Sequence, residues 1–90
     1  MTTANATTDE VIAYLTGHGF APHRKGSGLW VSFDYVHATG NARVAVTDAG
    51  AACFDVYAFT RDGYRLQAWR VQLTGAPLAV VAATVTAAID

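Results

Sequence analysis

The feature that most constrains the fold of this chain is a series of four alternating runs between Leu29 and Leu73. Apolar and polar side chains alternate along each run, which is typical of a β-strand with one buried face. The predicted strands are Leu29–His37, Ala42–Asp48, Ala52–Arg61 and Tyr64–Leu73. The short connections between consecutive strands predict an antiparallel meander.

The last connection, Asp62-Gly63, predicts a two-residue type I′ turn with a positive φ at Gly63. Such a turn places Arg61 opposite Tyr64. The further pairs follow at two-residue steps: Val56 with Trp69, Phe54 with Val71 and, on the opposite face, Asp55 with Arg70. Apolar pairs on one face and an acid–base pair on the other support this register.

The two earlier connections agree with this register. A four-residue loop, 38–41, places Tyr35 opposite Val44. The connection 49–51 has an odd length, which keeps the valines of the second strand on the same face as those of the third. The predicted inner face therefore consists of two rows, Phe33–Val46–Phe54–Val71 and Tyr35–Val44–Val56–Trp69.

Two helices are predicted, one on each side of the strands in sequence. The first begins at a capping box formed by Thr7 and Glu10 and ends near Gly17. The second begins at Pro77, a residue favoured in the first turn. The apolar stripes are Val11, Ile12 and Leu15 in the first helix, and Leu78, Val81, Val85 and Ile89 in the second. The back of the second helix, with Val80, Ala83 and Ala87, has no charged residue before Asp90.

Ninety residues correspond to one domain, and 52% apolar with 14% charged residues excludes a disordered chain. The predicted fold is an α+β two-layer sandwich. It consists of a four-stranded antiparallel meander with N- and C-terminal helices on one face, in the order α-β-β-β-β-α. We expect residues 1–7 to form a flexible tail and residues 8–90 to form a single α+β domain.

The sequence predicts a cytoplasmic protein without a membrane segment. The single cysteine, Cys53, has no partner for an internal disulfide, which favours a reducing compartment. The segment Met1–Thr8 lacks the basic and apolar regions of a signal peptide, and Ala76–Ile89 is too short to span a bilayer. A net charge of −1 gives no long-range attraction to nucleic acid or to an anionic membrane.

The outer face of the sheet is the predicted interface, because both helices are expected on the inner face. Its apolar side chains form a contiguous patch, and its aromatic and arginine side chains are the types that dominate interface energetics. Arg43 is predicted opposite Tyr57, at cation–π distance. We favour this face over the helix back for a homodimer because its side chains are larger. The interface candidates are Trp30, Arg43, Tyr57, Phe59, Leu66 and Arg70 on the sheet and Val80 on the second helix.

No catalytic residue, cofactor or metal site is predicted. His18 and His23 have no cysteine or carboxylate at ligand spacing, and a lone cysteine beside Asp55 does not indicate a nucleophile. The segment 23–28 is interpreted as a basic, glycine-containing loop that leads into a strand. Its residues His23, Arg24 and Lys25 are the anion-binding candidates.

The segment from Gly19-Phe20 through Arg24-Lys25-Gly26-Ser27 resembles the start of HicA-type mRNA interferase toxins. Those are small α+β proteins in which a helix is followed by Gly-Phe, a basic strand and Gly-Ser-His. Gly28 stands at the position of that family's catalytic histidine and has no acid or base group. The resemblance therefore does not carry the RNase activity to this chain.

The sequence favours a non-catalytic interaction or regulatory module, a homodimer that also binds an unidentified protein partner, as accessory proteins of phages or mobile elements do. The alternative is a single-stranded nucleic-acid-binding domain that uses the aromatic side chains with Arg43, Arg61 and Arg70. Asp34 and Asp55 on the same face count against nucleic acid. A small RNase-like enzyme is the third reading, and no general base is identified for it.

Overall fold

The structure is a computed structural model that describes residues 5–25, 32–49, 51–62, 64 and 66–90. Within these ranges the elements follow in the order α-β-β-β-β-β-α, so the predicted α+β class is confirmed. Their bounds are α1 Thr8–Thr16, β1 Phe20–Lys25, β2 Ser32–His37, β3 Ala42–Ala49, β4 Ala51–Phe59, β5 Gln67–Thr74 and α2 Leu78–Ile89.

The described strands form one antiparallel sheet in the order β1-β2-β3-β4-β5, so the prediction of four strands is wrong. The missed strand is β1, which includes the residues His23, Arg24 and Lys25 that were interpreted as a loop. The sequence there contains Pro22 and a basic run. Both are compatible with β1 because it lies at the edge of the sheet, where a strand tolerates a missing amide.

The predicted register of the first three strands of the meander is confirmed. Tyr35 lies opposite Val44, and Val44 lies opposite Val56. Val46 lies opposite Phe54, so the valines share one face with the aromatic side chain as expected. Gly50 and the predicted strand residues Leu29–Val31 lie outside the described residues.

The register between β4 and β5 differs from the prediction by two residues. Val56 lies opposite Val71 rather than Trp69, and Phe54 lies opposite Leu73. The cause is the connection, which is longer than a two-residue turn: the Thr60 amide donates to the Leu66 carbonyl at 2.7 Å. A shift of two residues preserves the face of every side chain. The predicted conformation of Gly63 lies outside the described residues.

The core lies between the inner face of the sheet and the two helices. In it α2 packs mainly over β3 and β4, whereas α1 packs on β1 and α2. The predicted capping box is confirmed, with hydrogen bonds of 3.0 and 3.1 Å between Thr7 and Glu10. The buried apolar residues are Ala6, Val11, Leu15, Phe20, Tyr35, Ala42, Val44, Phe54, Val56, Ala58, Val81, Val85 and Ala88.

Two residues that we expected in the core lie at its margin. Val71 is 38% exposed, and Trp69 is only partly buried. Because α1 packs on β1, and α2 packs mainly over β3 and β4, the helix layer lies towards the β1 side of the sheet and away from β5. The inner face of β5 is therefore only partly covered by the helices of the described chain.

The chain just before α1 is packed against the end of the sheet. The Ala6 amide donates to the Ala76 carbonyl at 2.9 Å, and the Ala6 side chain is buried. The predicted division of the chain into a tail of residues 1–7 and a domain of residues 8–90 stays a prediction. Neither described helix combines the length and apolar character that a membrane-spanning helix needs.

Candidate interaction surfaces

The outer face of the sheet carries a row of alternating arginine and tyrosine side chains. Arg43 lies opposite Tyr57, and Tyr57 lies opposite Arg70 on the next strand. The predicted cation–π contact is confirmed, since the Arg43 guanidinium lies 5.7 Å from the centre of the Tyr57 ring. It also lies 5.3 Å from the Phe59 ring, and the Arg70 guanidinium lies 5.6 Å from Tyr57. The arginines thus cover the aromatic rings of this face.

Both arginines of this row are also paired with aspartates. Arg43 lies 3.5 Å from Asp34, and Arg70 lies 3.5 Å from Asp55. The Arg70–Asp55 pair is diagonal, because Asp55 lies opposite Gln72 rather than Arg70. Asp34 is buried and Asp55 is half-buried. The guanidinium charges of this row are therefore matched by carboxylates of the same face.

The remaining interface candidates lie apart from this row. Leu66 is 62% exposed and ends the connection between β4 and β5. Val80 is 44% exposed on α2, in the helix layer rather than the sheet. Trp30 lies outside the described residues. The candidates that the structure brings together are thus Arg43, Tyr57, Phe59 and Arg70.

Arg61, which the nucleic-acid reading included, does not belong to this row. Its guanidinium donates to the backbone carbonyl of Ile89 at the C-terminal end of α2. A cation at this end of a helix interacts favourably with the helix dipole and with a carbonyl that has no partner inside the helix. Arg61 therefore links the β4–β5 connection to α2.

A second surface, which we call the β5–α2 groove, lies on the other side of the molecule. This open groove is lined by Trp69 and Val71 of β5 and by Ala83, Thr84 and Ala87 of α2. Ala83 and Ala87 belong to the helix back that the sequence singled out. Sequence reasoning missed the contribution of Trp69 and Val71, because it placed both residues under the helices.

The anion-binding candidates lie at the edge of the sheet. His23 is exposed on β1 with its Cα opposite that of Asp34, and Arg24 and Lys25 complete the strand. Their binding of an anion stays a prediction. Among the described residues no group of three or more histidine, cysteine or carboxylate side chains is placed to hold a metal ion.

Cys53 accepts two hydrogen bonds on the outer face. The Gln72 amide nitrogen lies 3.2 Å and the Thr74 hydroxyl 3.4 Å from its sulfur. Both donors belong to β5, so these contacts tie β4 to the last strand. The thiol has a structural role in this pairing, and we assign no chemistry to it.

Comparison of this chain with protein-family models, with curated proteins and with solved structures finds no match.

Proposed function

We propose that this chain is a non-catalytic interaction module of a small cytoplasmic protein, which forms a homodimer and binds a protein partner. The observation that carries the proposal is the outer face of the sheet, where Arg43 and Arg70 cover Tyr57 and Phe59 and are balanced by aspartates. Arginine and tyrosine are the side chains most enriched at the energetic centres of protein interfaces.

Charge is the property that favours protein over nucleic acid as the partner. Single-stranded nucleic acids need unpaired cations for their phosphates and uncovered aromatic rings for their bases. On this face Arg43 lies beside Asp34 and stacks over two rings, so its charge is already balanced and the nearby carboxylate would repel a phosphate. A protein surface can bind the same row without separating these pairs, through its own polar and aromatic groups.

Binding of a short single-stranded RNA and DNA, followed by fluorescence anisotropy at about 50 mM and 200 mM salt, tests this choice. We expect no binding at micromolar protein at either salt concentration. Tight binding that weakens steeply with salt would support the nucleic-acid alternative and contradict the proposal. The variant Arg43→Gln is the control, because loss of binding in this variant would assign any such binding to the outer face.

A further inference from the structure

We propose that a second copy of this chain binds along the outer edge of β5, with the two β5 strands antiparallel about a two-fold axis. The β5–α2 groove of each copy would lie beside the axis and become covered. This inference rests on the proposed homodimer and assigns its interface to a surface other than the arginine and tyrosine row.

The edge of β5 needs a strand as its partner. Of the described strands, only β4 pairs with β5, so one side of this eight-residue strand has no backbone partner in the described chain. Its sequence, Gln67–Thr74, contains no proline and no lysine, which are residues that commonly prevent edge pairing. The β-bulge near Ala58 and Phe59 affects only the first residues of β5, and the pairs from Trp69 to Thr74 are regular.

The opposite edge of the sheet is protected, and this contrast makes β5 the pairing edge. On β1, Pro22 removes an amide donor, and the strand ends in Arg24 and Lys25. Proline and adjacent basic residues disfavour the addition of another strand. When only one edge of a sheet is open, two copies can pair only through that edge. The result is a closed dimer rather than a fibre.

The sequence of β5 is compatible with pairing to itself. A two-fold axis perpendicular to the sheet places one residue opposite its own copy, and an axis at Val71 places Trp69 opposite Leu73 of the second copy. Arg70 then lies opposite Gln72 of the second copy. An axis at Arg70 would place two arginines directly opposite each other, which is unfavourable. The Val71 axis therefore combines apolar pairs on the inner face with no like-charge pair on the outer face.

The helix beside this edge, α2, has no charged side chain that would favour its exposure to solvent. From Leu78 to Ile89 every residue of α2 is apolar or threonine, and such a helix is typically covered on all sides. Val81, Val85 and Ala88 face the core, whereas Ala83, Thr84 and Ala87 face the groove. The Thr84 hydroxyl donates to the Val80 carbonyl at 2.9 Å, so it does not require water.

The size of the interface shows that both the strand and the helix must take part. An eight-residue strand is about 26 Å long, and the molecule measures 21 Å along its shortest principal axis. A side of the molecule with these dimensions, which includes both β5 and α2, covers on the order of 500 Å² per copy. The total of about 1,000 Å² is the lower limit for specific interfaces. The strand alone would cover too little, and α2 supplies the remainder.

Sedimentation equilibrium of adjacent helix variants tests the interface. Ala87→Glu introduces a charge into the groove, and we expect it to raise the dimer dissociation constant at least about tenfold. Thr86→Glu introduces the same charge at the next position, which does not line the groove, and should leave the dissociation constant within about twofold of wild type. Circular dichroism of both variants checks that each is folded.

The two possible failures are distinguishable. A monomeric wild type at high micromolar concentration would contradict the proposed homodimer itself. A dimeric wild type with an equally dimeric, folded Ala87→Glu variant would overturn this interface alone. Dissociation by Phe59→Asp in the arginine and tyrosine row, without dissociation by Ala87→Glu, would overturn it in the same way and return the interface to the outer face.

Cross-linking tests the two-fold axis directly. It measures the formation of a covalent bond between the two copies and does not rely on a variant that weakens the dimer. Residues directly opposite each other on antiparallel strands have Cβ atoms about 4.5–5.5 Å apart, close to disulfide range. In a Cys53→Ser background, Val71→Cys should therefore form a covalent dimer under mild oxidation. Thr86→Cys in the same background is the control and should stay uncross-linked. Equal cross-linking of both variants, or of neither, would overturn the Val71 axis.

Discussion

Arg43 makes two kinds of contact on the outer face of the sheet. Its guanidinium makes an ion pair with Asp34 and stacks over two aromatic rings at once. A planar guanidinium can do both, whereas a lysine ammonium cannot stack in this way. The contact with Tyr57 was predictable from sequence, since it follows from the register of two strands. The stacking on Phe59 was not predictable, because it depends on the rotamer of Arg43.

Phe54 and Trp69 were both predicted on the inner face of the sheet, and the structure separates them. Phe54 is 1% exposed, whereas Trp69 lies at the margin of the core. We expect Phe54→Ala to lower the free energy of unfolding by about 3–5 kcal/mol. Trp69→Ala should cost about 1–3 kcal/mol, because less of its surface is removed from water on folding. Urea denaturation of both variants measures the difference, and a larger loss for Trp69→Ala would contradict the placement of β5.

Gly19 and Gly17 form a matched pair for a test of backbone conformation. Gly19 has a φ of +87°, and a Cβ there would lie 3.2 Å from the His37 ring. Gly19→Ala should therefore cost about 1–2 kcal/mol. Gly17 has a φ of −73°, which any residue adopts. Gly17→Ala should be neutral or slightly stabilising, by up to about 1 kcal/mol.

Thermal and urea unfolding of the two variants give these values. Equal stability of Gly19→Ala and Gly17→Ala would show that the left-handed position after α1 is misplaced. The sequence indicated a helix end near Gly17, and α1 ends at Thr16. It could not indicate which of the two glycines takes the positive φ, because both are compatible with a C-terminal cap.

At the scale of elements, the sequence predicted both helices and the central hairpins because their signals are local. A capping box, an apolar stripe and alternating valines each follow from a few neighbouring residues. The prediction failed for β1 because an edge strand tolerates proline and basic residues, which also occur in loops. The resemblance of segment 19–27 to proteins with a helix followed by a basic strand was the one signal that pointed to it.

The connection between β4 and β5 is the second element that the sequence did not predict. Asp62 accepts hydrogen bonds from the Thr60 hydroxyl at 2.9 Å and the Tyr64 amide at 3.0 Å. A side chain that binds nearby backbone stabilises a longer turn, which competes with the two-residue turn that Asp-Gly favours. The β5–α2 groove includes Val71, which this register places opposite Val56.

Asp62→Ala tests the role of this aspartate in the connection. We expect a loss of about 1 kcal/mol in the free energy of unfolding, because two local donors lose their acceptor on an exposed segment. Asp62→Asn retains one carbonyl oxygen as an acceptor and should lose less. Urea denaturation compares them, and an Asp62→Ala variant as stable as wild type would show that the connection does not depend on these bonds.

At the scale of the whole molecule, the described chain leaves two surfaces that differ in chemistry. The outer face is polar and charge-balanced, with aromatic rings beneath arginines. The edge with β5 and α2 is apolar and has backbone groups that can extend the sheet. A homodimer through the second surface would keep the first accessible in both copies. One chain could then combine self-association with the binding of a protein partner.

The molar mass in solution tests the central claim most directly. Multi-angle light scattering during size-exclusion chromatography measures it over a concentration series of the wild-type chain. An interaction module that forms a homodimer should have twice the 9.5 kDa mass of one chain at high micromolar concentration, and should dissociate on dilution. A mass of 9.5 kDa throughout the series would contradict the claim.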